Sequence, residues 1–171
     1  WAIVNPDSSN NKVQHTINGQ TFLTCPYNNT IGGNNYTITA KVRVPTALQS
    51  NAGILVRYDS SAHNGYALVV TNSVGVSASV LEIKKITNWS DVQMNAVTIT
   101  GSYLNITTYY TLTLTVSGTN PVQIDGSVTD GVNTKTVSWT DSSSPYTSGK
   151  VGLYAYGNAF PIFDDLSVTA Q

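Results

Sequence analysis

SGKVGLYAYGNAFPIFDDLSVTAQ, running from Ser148 to Gln171, is the stretch whose reading decides the fold. Successive side chains of a β-strand point to opposite faces. Val151, Leu153 and Ala155 therefore share one face, and Tyr154 and Tyr156 share the other. A turn leads into a second strand from Phe163 to Thr169, where strict alternation groups Asp164 with Leu166 and Val168. That parity sets a carboxylate on the side that should be core. An unpaired buried charge is costly, so Asp164 is expected at a sandwich rim with a cation or several backbone donors beside it.

The same alternation extends outward along the chain. YTITAKVRV turns Tyr36, Ile38, Ala40, Val42 and Val44 one way and Thr37, Thr39, Lys41 and Arg43 the other, the pattern of a half-buried antiparallel strand. Ala52–Asp59 and Tyr66–Thr71 alternate less strictly, which suits central strands. Val80–Ile86, Asn95–Thr100 and Tyr109–Val116 follow, then a hairpin of Val122–Val128 and Thr134–Trp139 around Asp130-Gly131. Before Tyr36, Trp1–Val4 is expected to be an edge strand, and Val13–Ile17 with Gln20–Cys25 to be a hairpin around Asn18-Gly19. No window sustains a helical apolar stripe. About a dozen short strands with turns between them predict an all-β chain, a two-sheet antiparallel β-sandwich of jelly-roll type, as one domain over residues 1–171.

Composition narrows the function. Charged residues are 10% of the 171, against roughly 25% in ordinary soluble domains. Thr, Ser, Asn and Gly fill the gap, as in secreted β-proteins. A net charge of −1 gives no long-range field for nucleic acid or an anionic membrane, and there is no basic stripe, so no nucleic-acid partner and no membrane insertion are expected. Cys25 is the only cysteine, which excludes an intrachain disulfide and a multi-cysteine metal site. Sequons stand at Asn28, Asn35, Asn88 and Asn105.

The segments YTITAKVRV, AGILVRYDSSAHNGYALVV, LEIKKI, YYTLTLTVSG and SGKVGLYAYGNAFPIFDDLSV, in that order, resemble the concanavalin A-like lectin/glucanase superfamily in its laminin G-like branch. That branch includes carbohydrate-binding modules of secreted bacterial enzymes. The closing Ser-Gly-x-Val-Gly-Leu strand and the Phe-Asp-Asp strand are the most specific part. The resemblance implies two curved antiparallel sheets, frequently a bound calcium ion, and glycan recognition on one sheet or at the loop edge. It implies no single activity, because folds of this kind host lectins, hydrolases and lyases alike.

Calcium takes oxygen ligands from carboxylates and carbonyls. Asp164 is the first candidate ligand, with Asp165 its neighbour and Asp7 and Asp141 in turns that could approach the same rim. Sugar binding asks for flat aromatic faces plus planar polar groups for paired hydroxyls. Ten tyrosines and three tryptophans supply the first; the candidate ligand-binding residues are Tyr154, Tyr156, Arg57, Asp59, Tyr66, Trp89 and Asn158. Hydrolysis of a glycoside requires two carboxylates roughly 5 to 10 Å apart. Glu82, the only glutamate, reads as a surface pair with Lys84, and the glucanase Glu-x-Asp-x-x-Glu signature is absent. A lyase would need clustered Arg, His and Tyr, and His63 beside Arg57 and Tyr58 is the one place that offers it. The expected function is a noncatalytic carbohydrate-binding, lectin-like module of a larger secreted protein, its partner a polysaccharide or glycan, with structural calcium. A structural or adhesive module of a cell-surface filament or layer is the alternative, and a polysaccharide-degrading enzyme the second.

Overall fold

The computed structural model describes residues 2–4, 12–16, 21–24, 34–44, 50–73, 78–100, 104–157 and 160–171. They form two antiparallel sheets and, among themselves, no helix, hence none long and apolar enough to cross a membrane. The seven-stranded sheet runs in the order β1 (Ala2–Val4), β2 (Lys12–Gln14), β13 (Ile162–Ala170), β4 (Tyr36–Arg43), β9 (Tyr110–Ser117), β10 (Val122–Thr129), β11 (Thr134–Asp141). The six-stranded sheet runs β3 (Thr21–Thr24), β12 (Lys150–Gly157), β5 (Ser50–Asp59), β6 (Asn64–Ser73), β7 (Ala78–Thr87), β8 (Ser90–Thr100).

The alternating strands build the core as their periodicity requires. From one sheet β4 contributes Tyr36, Ile38, Ala40 and Val42, and β9 contributes Tyr110, Leu112, Leu114 and Val116. Opposite them lie Ile54, Val56, Tyr66, Leu68, Val70, Leu81, Ile83, Val151 and Leu153. Each large aliphatic so buried stabilises by about 1.5–3 kcal/mol. Leu68 of the facing sheet packs directly over Gly126, where a Cβ would fall 2.3 Å from Leu68 Cδ1. A side chain at that position must displace Leu68 or part the sheets.

Two features depart from the sequence reading. The segments around Asn18-Gly19 do not make a hairpin: β2 pairs with β1 and β13, whereas β3 pairs with β12 in the other sheet. Asn18 and Gly19 themselves lie outside the described residues. The terminal strands β12 and β13 likewise sit in opposite sheets, so the closing motif stitches the two layers together.

The parity of Asp164 is also reversed. Phe163 pairs with Val42 on the core side, and Asp164 pairs with Lys41 on the outer side. The register then steps from Asp164↔Lys41 to Ser167↔Thr39, three residues on β13 against two on β4. Asp165 takes φ 50° at this β-bulge. The extra residue returns Leu166 and Val168 to the core and leaves Asp164 outside it, ion-paired to Lys12 Nζ at 2.6 Å.

A candidate ligand site on the outer face of the six-stranded sheet

The face of the six-stranded sheet turned away from the core carries a second apolar cluster: Leu55, Tyr58, Ala67, Val69, Ile86 and Tyr154. Small residues make room for the two rings. Tyr154 stands in register with Gly53, and a Cβ on Gly65 would lie 2.8 Å from Tyr58 Cα. Tyr154 on β12 and Asp91 on β8 are four strand spacings apart, about 19 Å on a flat sheet. Yet the Tyr154 hydroxyl donates to Asp91 Oδ2 at 2.6 Å. The side chains are too short to bridge 19 Å, so the sheet curls toward this face and makes it concave.

Three charges meet on that apolar floor. Lys84 Nζ lies 3.0 Å from Asp91 Oδ2 and 3.3 Å from Glu82 Oε2. The side chains of Glu82, Lys84 and Asp91 are 11%, 12% and 24% exposed, a partly desolvated cluster rather than a surface pair. Burial opposes ionisation of Asp91, but the bonds from Tyr154 and Lys84 outweigh it and hold that carboxyl below the usual range.

An aromatic platform adjoins this cluster. β7 and β8 are joined by Asn88-Trp89, with φ 48° and 69°, the conformation of a type I′ turn. Such turns favour Asn-Gly; a tryptophan in the second position is strained by about 1 kcal/mol or more. The turn is tied to the β5–β6 turn, Trp89 N–H donating to the His63 carbonyl at 3.3 Å and Asn88 N–H to Asn64 Oδ1 at 2.8 Å. His63 also has positive φ, 53°. Its ring stacks on Trp89 with centroids 3.5 Å apart, and its Nδ1 lies 3.0 Å from the Tyr58 hydroxyl. Burial, then the neighbouring Asp59, pushes that hydroxyl up to about 12. Trp89 still presents 47% of its surface to solvent.

Of the residues expected from sequence, Trp89 and Tyr154 come together here. Tyr154 points away from the inter-sheet core as alternation requires, but it is buried beneath the outer face, with 1% exposure. Tyr156 stands farther along the same strand, 42% exposed. Asp59 caps its own turn, accepting from the Ser61 and Ala62 amides. Arg57 and Tyr66 are corrections: both are buried inside the sandwich, Arg57 because a bulge with φ 49° turns it inward. Arg57 and Asp59 therefore do not project together. Asn158 lies outside the described residues. Glu82, Lys84, Asp91 and His63 were not assigned to a sugar site. The available signal was the Glu82/Lys84 pair at i, i+2, on one face of the strand VLEIKKI.

The three described candidate metal ligands, Asp141, Asp164 and Asp165, do not assemble. Asp7 lies outside the described residues. Asp164 is matched by Lys12, Asp165 by Lys41 at 2.6 Å, and Asp141 by Lys85 at 2.7 Å. β13 and β11 are four strands apart, about 19 Å. Among the described residues, no three His, Cys, Asp or Glu converge as a metal group would need. These three carboxylates do not fit a calcium cage, because each already has an ammonium that the ion would have to displace. Excess chelator is accordingly expected to leave the melting temperature unchanged. A fall of several degrees, reversed by calcium, would restore the ion, since a cation held only by the folded state stabilises it by mass action.

A cleft of about 430 Å³ opens at the other end of the sandwich, lined by Leu104, Asn105, Tyr110, Asp130, Asn133 and Lys135 among others. Its aromatic residue, Tyr110, is only 8% exposed, so the cleft lacks a ring face to offer a ligand.

No family model and no curated protein matches the chain. Solved structures do. The carbohydrate binding module CBM66 from Bacillus subtilis superposes with TM-score 0.69 at 16% identity, over 92% of this chain and 86% of that one. A single mutant of congerin II gives 0.52 at 12% identity, over 88% and 99%. A mutant of the GH43 protein BlXynB from Bacillus licheniformis gives 0.53 at 14%, over 81% of this chain but only 28% of that one. At these identities the likeness establishes the fold alone, a two-sheet jelly-roll β-sandwich.

Proposed function

We propose that this domain is a noncatalytic carbohydrate-binding, lectin-like module of an extracellular protein, holding its glycan on the concave outer face of the six-stranded sheet. The observation that carries the reading is the Trp89–His63 stack beside the Glu82–Lys84–Asp91–Tyr154 cluster. A pyranose or furanose presents an apolar C–H patch and a rim of hydroxyls, which match a ring face and adjacent carboxylates. The likeness to a carbohydrate-binding module in fold supports the same reading. A hydrolytic role is disfavoured at this site. Glu82 and Asp91 both lie against one lysine ammonium, at 3.3 and 3.0 Å, whereas a glycosidase needs one of its two carboxyls free to donate a proton to the leaving group.

Trp89→Gly tests the site through two opposed effects. Glycine relieves the positive φ at the turn, so stability should rise by up to about 1 kcal/mol. Loss of the ring should weaken binding to the best ligand of a polysaccharide panel by about tenfold or more, as loss of an anchoring aromatic does. Affinity electrophoresis and a melting curve read the two effects separately. Unaltered affinity would remove the site from this face.

The alternative, a structural or adhesive module, draws on the edge strand β8, where Val92 is 57% and Met94 36% exposed. Uncovered apolar edges promote strand-to-strand assembly. Concentration-dependent sedimentation in the absence of glycan would favour it.

A further inference from the structure

Resting on that reading, we infer that the outer face selects uncharged glycans bearing adjacent free hydroxyls and excludes those that carry carboxylate or sulfate groups. The cluster's own bonding leads there. Lys84 Nζ, its one ammonium, is shared between Glu82 Oε2 and Asp91 Oδ2 at 3.3 and 3.0 Å. Asp91 Oδ2 also takes the Tyr154 hydroxyl proton. The lysine thus faces two anions whose summed charge exceeds its own. Among the described residues no side-chain donor reaches Glu82 Oε1 or Asp91 Oδ1, and beyond the bond that the Asp91 carboxylate takes from its own N–H the unused capacity of the cluster is that of acceptors. Sugar hydroxyls are donors that suit such oxygens; a carboxylate or sulfate is acceptor-only and is repelled by them.

The surrounding charges do not reverse the sign. Glu82 and Asp91 against Lys84 leave the cluster with an excess of one negative charge. Lys150, in register with Tyr58 at the start of β12, is exposed, and Asp59 at the adjacent turn offsets it. His63 is stacked on Trp89 and bonded to the Tyr58 hydroxyl. Partial burial strengthens the selection, because charges at 11–24% exposure are screened less by water and salt than charges on an open surface.

The experiment uses the whole chain and a panel of neutral polysaccharides (glucan, galactan, xylan, fructan) beside anionic ones (galacturonan, alginate, a sulfated galactan). The tightest neutral binder is then oxidised in place to carry carboxylates, so that the two probes share one backbone. The oxidised form should bind at least about tenfold more weakly, a like-charge penalty. Glu82→Gln, which removes one negative charge and leaves the Lys84–Asp91 pair, should narrow that gap by about fivefold or more, with the change smaller in 0.5 M salt. An anionic polysaccharide as the tightest ligand, or equal affinity for native and oxidised forms, overturns the selectivity while leaving a glycan site in place. No binding to any member, or binding indifferent to Trp89→Gly, takes down the site itself and the selectivity with it.

Discussion

Replacing Arg57 with methionine is expected to lower the melting temperature by roughly 10 °C or more, at about 2–4 °C per kcal/mol for a chain of this size. The guanidinium is 1% exposed and lies at one end of the inter-sheet core. Its Nη1 donates to the Tyr146 carbonyl at 3.0 Å, and its Nη2 to the carbonyls of Gly118 at 2.7 Å and Asn34. One side chain thereby ties together three loops that have no ladder of their own at this point. Methionine fills much of the volume and removes every donor. Each carbonyl left without a partner costs about 1–3 kcal/mol where water cannot replace the bond. Lysine should recover only part of the loss, since its ammonium lacks the planar fork that addresses several acceptors at once. A methionine variant melting within 2 °C of the parent would show that water reaches these carbonyls. Glycan affinity of the folded fraction should be unchanged, because the Arg57 guanidinium donates to the carbonyls of Tyr146, Gly118 and Asn34, none of them in the outer-face site.

Asp141→Ala is the second large effect, a loss of about 3–5 kcal/mol, the usual cost of breaking a buried ion pair from one side. Asp141 Oδ2 accepts from Lys85 Nζ and from the Tyr66 hydroxyl, each at 2.7 Å, and Oδ1 accepts from Ser143 N–H at 3.0 Å. The Tyr66 oxygen in turn accepts from Tyr146 N–H at 2.8 Å, so the network pins the 141–146 loop to β6 and β7. Alanine leaves a lysine only 17% exposed with two carbonyls and no counter-charge. Burial favours the neutral acid, yet the bonds from Lys85 and Tyr66 outweigh it and depress the Asp141 carboxyl. A depressed folded-state value means that its stability is present above the unfolded value, near pH 4, and is lost as pH falls through the folded one. The melting temperature of the parent should therefore drop steeply below about pH 4. Asp141→Asn keeps an acceptor for Tyr66 but cannot titrate, and its pH slope should be shallower. Parallel slopes in the two proteins would assign acid sensitivity to other carboxylates, Asp91 first among them.

Much of the frame was legible in sequence because alternation is a property of the strand backbone. YTITAKVRV and YTLTLTV read directly as β4 and β9, with the inward residues of both in the core. The Asp130-Gly131 hairpin also stood out, since a positive φ of 95° at Gly131 is the conformation that glycine in such a turn announces. The β7–β8 hairpin did not. Its turn is Asn88-Trp89, and strain of this kind has no local signal, being stabilised by the neighbouring His63 carbonyl and Asn64 side chain. Bulges caused two of the other errors. One extra residue at Asp165 reversed the face of Asp164, and one at Arg57 turned an expected ligand contact into a buried tie.

The closing stretch from Ser148 to Gln171 shows where the division falls. By itself the sequence determined that its two segments are strands, that Val151 and Leu153 face a core, and that the chain is an all-β sandwich, because these follow from a period of two. Only the tertiary structure decided that the two strands lie in opposite sheets. It decided too that Lys12, 152 residues away in the chain, neutralises Asp164, and that Tyr154 crosses a curled sheet to reach Asp91. Pairing across sheets depends on sequence-distant partners and on curvature summed over several strands, and no local pattern encodes either.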